Sequence, residues 1–193
     1  MQEHADDAMH PPQAAVRGAT VWLTGLSGAG KSTLASAAVE RLRALGMRAT
    51  VLDGDVLRDG LNANLGFGAA DRAEAVRRAG EAALLLSGSG VTAVAALISP
   101  YRADRDLVRE RHRAAGVPFL EVFVDVPVAV AESRDPKGLY AKARAGKIPA
   151  FTGISDPYEA PAAPELRIPT AEMPREACVS LLVDSALSAM SRP

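Results

Sequence analysis

Gly25-Leu26-Ser27-Gly28-Ala29-Gly30-Lys31-Ser32, followed by Thr33, lies between an apolar β-prone run at 20–24 (TVWLT) and a helical stripe at 31–45. The stretch fits the pattern G-x-x-x-x-G-K-[ST]. Its glycines let successive backbone N–H groups turn inward around phosphate oxygens, where side chains would obstruct them. The helix that begins near Lys31 adds the positive end of its dipole. Lys31 can reach between β- and γ-phosphates, and the Ser32 hydroxyl can ligate Mg²⁺. An ordinary glycine-rich turn lacks this strand before and helix after. The expectation is a nucleoside triphosphate held by residues 25–33.

Outward from this loop, strands and helices alternate. Leu34, Ala38, Leu42 and Leu45 form one helical stripe that Gly46 closes. A short strand at 49–52 runs into Asp53-Gly54-Asp55, and a helix near 70–87 ends at Gly88-Ser89-Gly90. Residues 91–98 (VTAVAALI) are apolar nearly throughout, as in a strand covered on both faces. A turn at Pro100 and a helix at 102–115 follow, then strands at 120–124 and 166–168 and a closing helix at 174–190. This order predicts an α/β fold, a five-stranded parallel sheet with helices on both faces. Ligands gather at the carboxyl ends of such strands, here just after residues 24, 52, 98 and 124. Residues 135–164 stand apart as a polar stretch punctuated by glycine and proline. They hold three of the four lysines, Lys137, Lys142 and Lys147. A segment of this kind in a compact domain predicts a mobile lid.

Composition sets the outer limits. The 193 residues, 48% apolar and 23% charged, suit one compact domain over 18–193, with residues 1–17 a disordered leader. That leader has acids and prolines but no apolar core, so it does not read as a signal peptide. A net charge of −1 gives no bulk reason to bind nucleic acid or an acidic membrane. No run approaches the roughly 18 apolar residues of a membrane span. The single cysteine, Cys178, excludes an internal disulfide and a cysteine zinc site, and fits a reducing, cytoplasmic setting. With two of three histidines in the leader, a histidine metal centre is disfavoured.

A guanine-reading N-K-x-D motif is missing, since none of the four lysines follows an asparagine. The second strand ends in Asp53 and Asp55, whereas the third ends in Ile98-Ser99-Pro100 without an acid. Two carboxylates beside a phosphate site can divide the work, one supporting the metal and one taking the acceptor's proton. Asp125 competes for this role but reads better as a cap of the turn into Pro127. Arg58, Arg72, Arg77 and Arg78, in a segment that also carries Phe67, suit an anionic ligand bearing a ring. A solvated helix face accounts for one or two of these arginines. Closure of the lysine-bearing lid would strip water from the reaction.

The motifs GLSGAGKST, LDGD, LGF, ADR, ISPYRADRD, EVFVDVP, RDPKGLYAKARAGKI, FTGI and YEAP occur in the order seen in adenylyl-sulfate kinases. The chain resembles that family over about residues 18–190. The resemblance implies a P-loop kinase fold and transfer of the ATP γ-phosphoryl to the ribose 3′-hydroxyl of adenylyl sulfate, with Mg²⁺. It implies that Gly25 to Thr33 hold ATP, with Arg134 near its adenine, and that Asp55 is the base with Asp53 assisting. Arg58, Phe67, Arg72, Ile98 and Ser99 would contact adenylyl sulfate, and Lys137 would meet its sulfate-phosphate end. Phe67 would clamp the acceptor's adenine against Phe151, and Thr152 and Gly153 would belong to the closing lid. A homodimer, and coupling in trans to a sulfurylase, are further expectations. Two positions depart from the family pattern, Val56 and Ala75, where asparagines are usual. Loss of two amides from one pocket opens an alternative, a kinase of the same fold with another nucleotide-linked acceptor. A nucleotide-binding module without turnover is the reading from a different class.

Overall fold

The computed structural model describes residues 18–191, so the leader predicted over 1–17 lies outside the described residues. In chain order the elements are β1 (Thr20–Thr24), α1 (Lys31–Ala44), β2 (Ala49–Asp53), α2 (Gly54–Arg58), α3 (Ala69–Gly88) and β3 (Thr92–Ala96). They continue as α4 (Arg102–Ala114), β4 (Phe119–Asp125), α5 (Val128–Arg134), α6 (Leu139–Arg144), β5 (Leu166–Pro169) and α7 (Arg175–Ser191). The five strands form one sheet in the order β2-β3-β1-β4-β5, every pair parallel.

Period-two alternation in the strands divides the core into two layers. Val21 and Leu23 of β1, with Val94 and Ala96 of β3, face Leu34, Ala38 and Leu42 of α1 and Val179, Leu182 and Val183 of α7. Trp22 and Ala95 point the other way, onto Val76 and Ala79 of α3 and Val108 of α4. At Gly80 a Cβ would sit 2.7 Å from Val108 Cγ2, so the close crossing of α3 and α4 requires glycine there. Both faces of the central strands are therefore covered, which is why 91–98 reads as an unbroken apolar run.

The strand predicted over 91–98 is shorter than its apolar run. Leu97 N–H still donates to Leu23 O (3.2 Å), but Ser99 adopts a positive φ of 41° and turns the chain away. Two short helices, α2 and α5, were not legible as periodic stripes, because each spans only one or two turns. Segment 135–164 is also less irregular than expected. It contains α6, a buried Phe151 and Thr152, and a bridge between Thr152 and Asp156.

Candidate active site

The carboxyl ends of β1, β2 and β3 open into one cavity of about 790 Å³, walled on its outer side by residues 134–152. That volume is in the range of a site for nucleotide-sized ligands. Its floor is the loop between β1 and α1. Gly28 and Gly30 both take positive φ, 75° and 99°, and a Cβ at Gly28 would lie 2.7 Å from Ala131 O. A side chain there would push the loop off α5. Ser27, Gly28, Gly30, Lys31, Ser32 and Thr33 line the cavity, while Leu26 and Ala29 are buried beneath the loop and anchor it in the core. Gly25 sits at its hinge, its N–H donating to Ile98 O (3.4 Å).

Lys31 is buried, and its Nζ donates to the carbonyls of Gly25 (2.9 Å) and Leu26 (2.8 Å). Burial pulls its pKa down from 10.5 to about 8, a fall that nearby Asp53 and Asp55 oppose. The ammonium is thus held by two backbone oxygens of the loop itself. Across the cavity Asp53 ends β2 and caps α2, its carboxylate accepting from Asp55 N–H (2.9 Å). The cap turns Asp55 outward, where its carboxylate pairs with Lys137 from the far wall.

The wall beyond Asp55 carries Arg58, Phe67, Arg72, Ala75 and Ile98. The Arg58 guanidinium lies 4.0 Å from the centre of the Phe67 ring, and Phe67 itself is 63% exposed. Phe151, also on the cavity lining, is buried edge-on against Tyr140, with ring centres 5.0 Å apart. Arg72 pairs with Asp156 (2.6 Å), donates to Thr152 Oγ1 (2.6 Å) and also bonds Ala150 O. Tyr101 OH donates to the same Asp156 carboxylate (2.9 Å). Ser99 is held in its strained conformation by three donors: Trp22 Nε1–H reaches its Oγ (3.1 Å), and Arg105 (2.6 Å) and the Thr24 hydroxyl (3.3 Å) reach its carbonyl. Arg134 spans from Gly28 O (3.4 Å) to Thr170 O (2.9 Å), beside the phosphate loop. This arrangement offers a phosphate cradle, a flanking carboxylate and a cationic, aromatic second pocket within one cavity.

A family model described as adenylylsulphate kinase matches residues 17–169. The chain belongs to the adenylylsulphate kinase family. The adenylyl-sulfate kinase of Saccharomyces cerevisiae is 52% identical over 171 residues, covering 89% of this chain and 85% of that protein. That of Paraburkholderia xenovorans is 55% identical over 161 residues, 83% of this chain and 88% of that one. The Mycobacterium tuberculosis APS kinase CysC, solved in complex with AMPPNP and APS, superposes with a TM-score of 0.86 at 49% identity. It covers 89% of this chain and 98% of its own. This kinase accordingly shares the fold and ATP-dependent phosphotransferase class of those relatives.

Several expected residues sit differently from a simple reading. Gly153 does not line the cavity; it packs on Leu26 and borders a shallow groove on the other side of the segment. Lys137 and Lys147 reach the cavity, but Lys142 does not. Arg77 and Arg78 are both engaged by Glu74 (2.7 and 2.8 Å), the solvated helix pairing expected of part of that cluster. Asp125 does not cap the turn into Pro127; its carboxylate pairs with Arg167 on β5 (2.8 Å). Of the two departures from the family pattern, Val56 is 69% exposed and outside the cavity lining, whereas Ala75 is buried on its wall. The partners Trp22, Tyr101, Arg105 and Asp156 escaped the sequence reading. Arg72 and Asp156 are 84 residues apart, and no local spacing signals such a pair.

Proposed function

We propose that the chain transfers the γ-phosphoryl group of ATP to the ribose 3′-hydroxyl of adenylyl sulfate, giving 3′-phosphoadenylyl sulfate and ADP. Membership of the adenylylsulphate kinase family, with about half of all residues identical to relatives so named, carries this reading. That CysC was solved in complex with both AMPPNP and APS supports a chain that takes both kinds of ligand. Nothing in the structure or its relatives supports the alternative acceptor, and exposed Val56 leaves the pocket unobstructed.

In this mechanism ATP lies in the loop 25–33, with its phosphates against the backbone N–H groups and its adenine near Arg134. Lys31 leaves the carbonyls of Gly25 and Leu26 for the β- and γ-phosphates. Arg58, Arg72 and Lys137 receive the anionic end of the acceptor, Ile98 and Ser99 shape its floor, and Phe67 and Phe151 flank its base. Lys137 releases Asp55 as it turns to the acceptor, and the freed carboxylate takes the 3′-hydroxyl proton. Asp53 positions Asp55 through the α2 cap. Residues 135–164, with Thr152 and Gly153, act as the lid, and the Arg72–Asp156 pair holds it.

Among the described residues no three His, Cys, Asp or Glu side chains cluster to hold a metal. The oxygen donors beside the loop, the Ser32 hydroxyl with Asp53 and Asp55 on the same cavity, suit Mg²⁺, which binds through few protein ligands and substrate phosphates. Bound there through Ser32, Mg²⁺ supplies neutralisation of the phosphate charge. A homodimer, a sulfurylase in trans as the source of acceptor, a part in sulfate assimilation and a cytoplasmic location complete the proposal. No described helix is long and apolar enough to cross a membrane.

Incubation of the purified chain with ATP, Mg²⁺ and adenylyl sulfate is expected to yield 3′-phosphoadenylyl sulfate, identified chromatographically. Asp55→Asn should lower kcat by about 10²–10⁴-fold while ATP still binds. Tight ATP binding by the wild type with no product would defeat the reading.

A further inference from the structure

Arg72 lines the cavity on the wall it shares with Arg58 and Phe67, yet one short segment of the outer wall already takes three of its N–H donors. Its Nη1 donates to Thr152 Oγ1 and to Asp156 Oδ2, both at 2.6 Å, and its Nη2 to Ala150 O. A guanidinium carries five such donors, so Nε–H and one Nη2–H are left over. They sit on the neighbouring nitrogens that grip an oxyanion bidentately. A carboxylate competing with an incoming anion would occupy that pair. Asp156 sits on Nη1 instead, and leaves Arg72 able to take a second anion.

The carboxylate is itself fixed. The N–H groups of Ile154, Ser155 and Asp156 all donate to Phe151 O (3.0, 3.0 and 3.1 Å), and Gly153 N–H returns to Asp156 O (2.8 Å). Ser155 Oγ accepts from Phe151 N–H (2.9 Å), closing the turn. Tyr101, the residue that opens α4, donates its hydroxyl to the same Asp156 oxygen (2.9 Å). Arg72 and Asp156 have side chains only 12% and 20% exposed, so solvent screens the pair weakly. A long arginine side chain normally loses rotamer freedom when it binds; here that freedom is lost before a ligand arrives. Charge argues the same way. Burial pulls the Arg58 pKa down, and the nearby charge of Arg72 adds to the fall. Two cations on one wall repel each other, and Asp156 offsets the second from the Nη1 side.

We propose that Asp156 is a positioning residue that fixes the Arg72 guanidinium with its remaining donors turned to the anionic end of the acceptor. This rests on the functional reading above, in which Arg72 receives that anion, and adds the group that aims it. The ion pair gives up part of the attraction of Arg72 for the acceptor in exchange for orientation.

The test is steady-state kinetics of Asp156→Ala, Asp156→Asn, Arg72→Ala and the double variant Arg72→Ala with Asp156→Ala, varying ATP and adenylyl sulfate separately. Rates are normalised to ATP-binding sites. Asp156→Ala should lower kcat/KM for adenylyl sulfate by about tenfold or more, through KM, with KM for ATP unchanged. Asp156→Asn keeps an accepting oxygen in the same place and should recover part of the loss. In the Arg72→Ala background, Asp156→Ala should cost no more than about twofold, because no guanidinium is left to aim. KM does not depend on the fraction of enzyme folded, so partial misfolding does not imitate the shift. A merely structural part for Asp156 would add its full cost in either background and raise both KM values, and either result overturns the proposal. A lower KM for adenylyl sulfate in Asp156→Ala overturns it too, by making Asp156 a competitor for Arg72. Product from the wild type with unchanged Asp156 variants would sink the positioning role alone. Absence of product from the wild type would sink both it and the functional reading.

Discussion

At the level of single residues, the decisive quantity is the charge on Lys31. Burial lowers its pKa from 10.5 to about 8, so the folded, nucleotide-free protein releases a proton that the unfolded chain keeps up to about pH 10.5. Between pH 8 and 10.5 the unfolded chain binds more protons, and stability rises with pH across that window. Denaturant titrations at several pH values should show this rise in the wild type and its absence in Lys31→Met. A bound triphosphate favours the charged lysine and reverses the preference. ATP binding at about pH 8.5 should therefore take up protons, read by calorimetry in buffers of different ionisation enthalpy, and affinity should fall as pH climbs past 8. Affinity that stays flat from pH 7 to 10 would remove Lys31 from the phosphate contacts.

Short elements carry the chemistry. Helix α2 is only five residues long, too short to be stable alone, and the Asp53 carboxylate holds its first turn. Asp53→Ala should cost about 0.5–2 kcal/mol of stability, measured by thermal unfolding, and should lower kcat as well, since the cap sets the direction of Asp55. Asp53→Asn and Asp53→Ser retain a capping oxygen and should recover most of the stability. Failure of both to do so would show that the cap matters less than the charge. The sequence pattern located this turn at the end of a strand and identified both carboxylates. It did not disclose that one positions the other, because capping depends on the φ and ψ values of a single turn.

Across the whole molecule, a buried ion-pair network joins the sheet, α4 and the outer segment. Arg105, 1% exposed, pairs with Glu121 of β4 (2.7 Å) and also donates to Ser99 O (2.6 Å) and Glu159 O (2.7 Å). Arg109 bonds the other oxygen of Glu121 (2.9 Å) and reaches Glu165. Removing Arg105 leaves buried Glu121 with Arg109 alone and takes a donor from the carbonyls of Ser99 and Glu159, so Arg105→Leu should destabilise by about 1–3 kcal/mol, observed as a lower denaturation midpoint. It should also weaken acceptor binding more than ATP binding, because Ser99 loses a restraint while the phosphate loop keeps its own. Equal loss of both affinities would indicate general unfolding rather than a link to the acceptor side.

Alternating strand and helix patterns, the glycine-lysine loop and the paired aspartates were all local features, set by neighbours a few residues apart. For that reason the parallel sheet, the phosphate cradle and the carboxylate turn could be read from the order of residues alone. The sheet order, the grip of Asp156 on Arg72 and the strain at Ser99 join segments distant along the chain. Such contacts depend on which surfaces meet after the layers pack, and no short-range periodicity encodes them. One-dimensional order specified the candidate reacting groups; three-dimensional packing decided which are held, which are free and which line the cavity.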